Sequence, residues 1–156
     1  SRNHPGYLGY ESDSEVFTHI MHYTLSTLGL GIDAYKHVIT PLRDEELARH
    51  PDGAFLRLLK QTCRPLTIDG PNCVIGCLPN RTLFMAQDSK KLRPGVVGGR
   101  PGLFAFSSEM CGLDEAIPYR EKNYDLQPMR YDTVYVDAVR REVKRRSQWE
   151  PCSRPV

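Results

Sequence analysis

"CVIGCLPNRTLFMAQD" (residues 73–88) holds two short apolar runs, "CVIGCL" and "TLFMAQD", split at Pro79-Asn80. Runs of this length, rich in β-branched and aromatic residues and bounded by turn formers, are strand signals. Further on, "GVVGG" and "GLFAFSSE" have the same texture, set off by Lys90-Lys91 and by Gly-Arg-Pro-Gly at 99–102. Together the four runs predict strands and hairpins of an antiparallel sheet. "DTVYVDA" (residues 132–138) predicts one more strand.

Toward the N-terminus the period changes from two to about 3.6. Val16, Phe17, Ile20, Met21, Thr24, Leu25 and Leu28 fall on one face at helical spacing, which predicts a helix from about 13 to 28. Gly29 and Gly31 supply its stop. "DAYKHVITPL" predicts a short helix or turn broken by Pro41, and "RDEELARH" a charged helical turn. Pro51 opens another helix in which Phe55, Leu58, Leu59 and Thr62 share a face, and Pro65 ends it. Helices first and strands afterwards predict an α+β layered fold. The 156 residues suit one domain, or a large piece of one.

Composition narrows the function classes. Hydrophobic residues are 40% and charged residues 26%, which excludes a disordered chain. No apolar run approaches the ~18 residues of a membrane span, and residues 1–20 lack the basic-then-apolar pattern of a signal peptide. A formal net charge of +2 is too small to argue for nucleic acid. The basic tail, 140–156, carries Arg140, Arg141, Lys144, Arg145 and Arg146 with only Trp149 interleaved. That pattern predicts a solvated helix or a docking surface, followed by Pro-rich coil. The five cysteines are odd in number and scattered, so no disulfide framework is expected. Cys73 and Cys77 share a strand face and have no further partners at metal-ligand spacing, which favours core packing over a metal pair. A reducing, cytoplasmic setting without metal or cofactor is the expectation.

Three groups of residues invite a chemical reading. Ser12 and Glu15 have capping-box spacing, which places Asp13 in the first turn of the helix. At 100° per residue Asp13 projects to the side of Val16, Phe17 and Ile20. Its plain role is a carboxylate favoured by the helix dipole. Its direction argues for a cationic partner, such as a substrate ammonium. Glu15, His19 and His22 lie on the opposite, polar side, and a solvated face is the simpler reading there. "GVVGGRPG" matches no phosphate-binding pattern, so Gly98, Gly99 and Gly102 are read as turn residues with positive φ. Asp88 and Arg93 flank a tight connection and predict a hairpin pinned by an ion pair.

Taken in order, three motifs resemble class II glutamine amidotransferases. "ESDSEVFTHIMH" resembles that family's S-x-x-D-[ST]-E-V segment. "LFMAQDSKKLRPGVVG" resembles its strand–D-R-x-G-x-R-P-L–strand hairpin. "GLFAFSSEMCGLD" resembles the next strand, ending in A-S-E-x-x-A-L. The segment between the first two motifs is similar to the glutaminase domains of glutamate synthase and their stand-alone relatives. The resemblance spans Tyr7 to about Asp137. It implies part of an Ntn-hydrolase αββα sandwich, with antiparallel sheets between helix layers. It also implies hydrolysis of glutamine to glutamate and ammonia, with the ammonia passed to a synthase partner. In the family an N-terminal cysteine attacks the amide to form a thioester, and its own α-amino group is the base. An Asn-Gly segment supplies the oxyanion hole. The aspartate of the first motif holds the α-ammonium of glutamine, and Asp13 stands at that position here.

In the family the nucleophile, the carboxylate-binding arginine and the oxyanion segment all precede that aspartate, whereas twelve residues precede Asp13 here. Ser89 and Lys91 stand where the family hairpin has arginine and glycine. Ser1 begins "SRNHPGYLGY", which has no strand alternation, so it is not read as a nucleophile. The chain is therefore expected to be a single partial domain over 1–156, the C-terminal portion of a glutaminase domain. Asp13 is its substrate-binding residue, and none of its own residues is expected to be catalytic. The missing N-terminal part, or a second polypeptide, would supply the nucleophile and cover otherwise exposed sheet edges. The alternative is a non-catalytic amidotransferase-like subunit kept for assembly or regulation.

Overall fold

The computed structural model describes residues 14–88 and 90–152. Ser1, Ser12, Asp13 and Ser89 lie outside the described residues. Helix α1 (Ser14–His22) buries Ile20 and Met21 and runs into a π-helical turn at Tyr23–Thr27. There Thr24 is fully buried and its hydroxyl donates to the Ile20 carbonyl at 2.8 Å. Leu28 follows, and Gly29 takes φ +63°, ending the helical run where glycine was expected to. Val16 departs from the predicted apolar face and is 52% exposed.

Helix α2 (Ala34–Ile39) is buried along its whole length. Helix α3 (Asp44–Leu47) is a single charged turn. The Glu46 carboxylate accepts from the Arg43 backbone N–H at 2.7 Å, satisfying a donor the helix start leaves free. Helix α4 (Gly53–Thr62) buries Gly53, Leu56 and Leu59, while Cys63 just beyond it is buried as well. Phe55 (42%) and Leu58 (63%) are exposed. The helix carries two apolar stripes, and the one headed by Leu56 faces the core, rotated from the predicted one.

Among the described residues the strands form a four-stranded sheet ordered β1-β2-β5-β6 and a two-stranded sheet, β3-β4. All pairings are antiparallel: β1 (Cys73–Cys77) with β2 (Thr82–Gln87), β2 with β5 (Asp132–Asp137), β5 with β6 (Glu142–Ser147), and β3 (Val96–Arg100) with β4 (Leu103–Ser107). Alternation along β2 sorts its side chains into two cores. Phe84 and Ala86 join Ile20, Tyr35, Ile39, Leu56 and Tyr131 on the helix side. Met85 meets Val134 and Val97, so β3-β4 packs on the other side. Helix α5 (Met110–Ala116) lies over β3 and β4, and a Cβ added at Gly98 would come within 2.9 Å of Leu113. The layers run α1–α4, four-stranded sheet, two-stranded sheet, α5. The fold is α+β.

Three expectations change. The segment between β2 and β3 is a crossover from one sheet to the other, because β2 is already paired on both sides. Residues 142–147 of the basic tail form edge strand β6 instead of a helix; charges at 142, 144, 145 and 146, tolerated on an exposed edge, hide the strand pattern. Gly98 and Gly99 sit inside β3 without positive φ, and only Gly102 (φ +88°) serves a turn in this segment. At Gly99 a Cβ would stand 2.2 Å from the Leu103 carbonyl oxygen, so close strand approach requires glycine there.

The chain beyond β6 folds back onto the helix layer. His50 Nε2 donates to the carbonyls of Gln148 (2.9 Å) and Glu150 (3.1 Å), while its Nδ1 accepts from the Asp52 N–H at 2.9 Å. The Gln148 amide donates to Thr40 O at 2.8 Å and lies 3.4 Å from His37 Nδ1. Asp52 Oδ2 accepts from the Cys152 N–H at 2.8 Å.

Candidate functional site

Between α1 and β1 runs a groove of about 1130 Å³. One wall is the apolar side of α1 and the π turn, with Phe17, Met21 and Leu25. The other is β1 with its flanking prolines, Pro71 and Pro79. Gly76 makes the groove deeper. A side chain there would meet the Phe84 ring at 2.5–2.6 Å, so the bare backbone leaves the ring as floor. No aspartate or glutamate lines the groove among the described residues; its ionisable groups there are His22, Arg93 and the thiols of Cys73 and Cys77.

Asn72 and Cys73 belong to this wall, and behind them lies a buried polar cluster. Lys36, 1% exposed, donates to Asn72 Oδ1 at 3.5 Å. Burial pushes its ammonium down to about 8, opposed by the Asp88 carboxylate and, less, by Cys73. Asp88 Oδ1 accepts from Gln87 Nε2 and from the Lys91 N–H, both at 2.9 Å, and Oδ2 accepts from the Lys90 N–H at 3.3 Å. Gln87 Nε2 also donates to the Arg93 carbonyl at 3.0 Å. The connection after β2 is thus held by backbone donors and a glutamine. The expected Asp88–Arg93 ion pair is absent among the described residues, and the Arg93 side chain is exposed. Burial raises the Cys73 thiol, and Lys36 only partly offsets this. At neutral pH Cys73 is a thiol, not a thiolate.

Asp13 lies outside the described residues. Its neighbour Ser14 lines the groove. His19 and Glu15 stand 3.4 Å apart on the polar side of α1, as the helical wheel predicts. His22 points to the groove and lies 3.4 Å from the Ser26 hydroxyl. No group of three or more metal-ligating side chains occurs among the described residues. All five cysteines are free, and Cys73 packs against the core between the sheets while Cys77 is exposed. Nor does any helix among the described residues reach the length and apolarity of a membrane span.

Lys36, Asn72 and Gln87 went unnoticed in the sequence. One signal was present: Lys36 and His37 sit in "AYKHVI", a six-residue helix whose other four positions are apolar, which leaves little solvent face for a lysine. Apolar side chains make up most of the described wall, and Arg93 offers an ion-pairing partner to a carboxylate. The wall holds no activated nucleophile among the described residues. No protein-family model matches the chain, and no curated protein or solved structure matches it significantly.

Proposed function

We propose that the chain is the substrate-binding portion of a class II glutamine amidotransferase domain. It would serve hydrolysis of glutamine to glutamate and ammonia for a glutamate-synthase-like partner. The observation that carries the reading is the position of the groove within the layer order helix–sheet–sheet–helix. The groove runs up to Ser14 at the N-terminal end of α1, the residue that follows Asp13. In this reading the Asp13 carboxylate receives the α-ammonium of glutamine. The positive end of the helix dipole alone would repel that ammonium, so the carboxylate is required. The amide carbon is then attacked by a cysteine thiolate carried on a separate stretch of polypeptide. Ammonia leaves, and water hydrolyses the thioester to glutamate. Cys73 does not substitute for that nucleophile, because burial keeps it protonated.

The test is reconstitution with a polypeptide bearing an N-terminal cysteine, followed by assay of ammonia release. Asp13→Asn is expected to raise KM for glutamine by an amount corresponding to about 1.5–3 kcal/mol, the scale of a charge-assisted hydrogen bond. Unchanged kinetics in the reconstituted pair would remove Asp13 from the site. The competing reading is a non-catalytic assembly subunit. That reading is supported if the partner binds tightly and the complex releases no ammonia.

A further inference from the structure

We infer that the free edge of β1 docks an extended polypeptide strand from another chain. That strand is apolar at alternate positions and bears an acidic side chain near Arg93. The inference rests on the proposed function for the source of the strand, and on the edge itself for the site. β1 has a neighbour only on its β2 side among the described residues. Its residues, "CVIGC", carry no charge and no proline, two of the devices that blunt a sheet edge. Ile75 is 50% exposed and Cys77 is exposed on the side where β3-β4 ends short of β1. Val74 and Leu78 face the groove from the helix side. A strand laid along β1 would pair with the N–H and C=O groups that point away from β2 and place alternate side chains over Ile75 and into the groove. Charge decides the polar part of the occupant. The described lining has no carboxylate and one permanent cation, Arg93, so an acidic side chain is favoured beside Arg93.

The probe is an acetylated heptapeptide of alternating valine and threonine with aspartate at one end, compared with the same peptide carrying lysine there. Residue-resolved amide hydrogen exchange is the readout. The aspartate peptide is expected to slow the β1 amides that point away from β2 by about tenfold, with weaker protection by the lysine peptide. Arg93→Glu is expected to reverse that preference. Ile75→Lys removes protection by both peptides while β5 exchange stays unchanged, and Cys77→Lys does the same if the first variant folds poorly. Three results overturn the inference. One is absence of protection, or equal protection on β6. Another is slow exchange of β1 in the protein alone, since the edge is then already covered. The third is concentration-dependent self-association abolished by Ile75→Lys, which assigns the edge to a second copy. The two proposals fail separately. Peptide protection at β1 with no ammonia release on reconstitution removes the activity and keeps the docking site. An active reconstituted pair whose partner leaves β1 unprotected removes the docking site and keeps the activity.

Discussion

The two edges of the four-stranded sheet are built on opposite plans. At β6 the edge is charged and tied down. Lys144 pairs with Glu142 at 2.9 Å, Arg145 approaches Asp132 at 3.8 Å, and Arg146 lies between Asp33 (3.6 Å) and Glu150 (3.5 Å). The chain then returns to His50 and Thr40, so this side is closed by its own residues. At β1 the edge is apolar, its two faces are incompletely covered, and a groove runs beside it. A sheet that finishes one edge with charge and leaves the other apolar has a direction, and the docking inferred above falls on its apolar edge.

Acid offers the largest perturbation, and it acts on the β6 side. His37 is 3% exposed, and burial lowers it to about 3; His50 and Lys36 add to the lowering and Asp52 opposes it. Its folded value lies below the unfolded value of about 6.5. The unfolded chain therefore binds a proton first, and stability present above pH 6.5 is lost as pH falls toward 3. The loss approaches about 4 kcal/mol. Urea unfolding midpoints across this range are expected to drop for the native chain and to flatten for His37→Gln. Equal slopes in the two would break the link between the β6 closure and His37.

A smaller effect sharpens the β1 side. Gly76→Ala puts a methyl within 2.6 Å of the Phe84 ring, which has the groove to move into. The expected cost is about 1–3 kcal/mol, read from the urea midpoint, together with a shallower groove. An unchanged midpoint would mean that the ring is not packed as floor. Smallest is Arg145→Ala, which removes a 3.8 Å contact made by a half-exposed side chain. Its expected cost is within about 0.5 kcal/mol. A larger loss would show that the β6 charges hold the edge as well as shield it.

The strands and most helices were legible because period and turn chemistry are local. The pairing of β2 was not. Nothing in "TLFMAQD" says whether its second neighbour is the next run or one fifty residues later, and burial on both faces decided for β5. Helix α4 misled by offering two apolar stripes, of which only Leu56 and Leu59 meet the core. β6 was masked by its own edge charges. The polar cluster was illegible for another reason: Lys36, Asn72 and Asp88 come from three separate segments and meet only in space. Asp13, proposed from its helix direction and the family resemblance together, lies outside the described residues.

The strand order β1-β2-β5-β6 has a kinetic consequence. Two hairpins, β1-β2 and β5-β6, are each joined by short turns, whereas the seam between β2 and β5 joins residues about fifty positions apart. Local hairpins close quickly, and the distant seam carries the loop-closure entropy. Docking of β5 on β2 is therefore the slow step expected of this chain. Until it happens, β2, the strand that becomes most buried, waits with one side open.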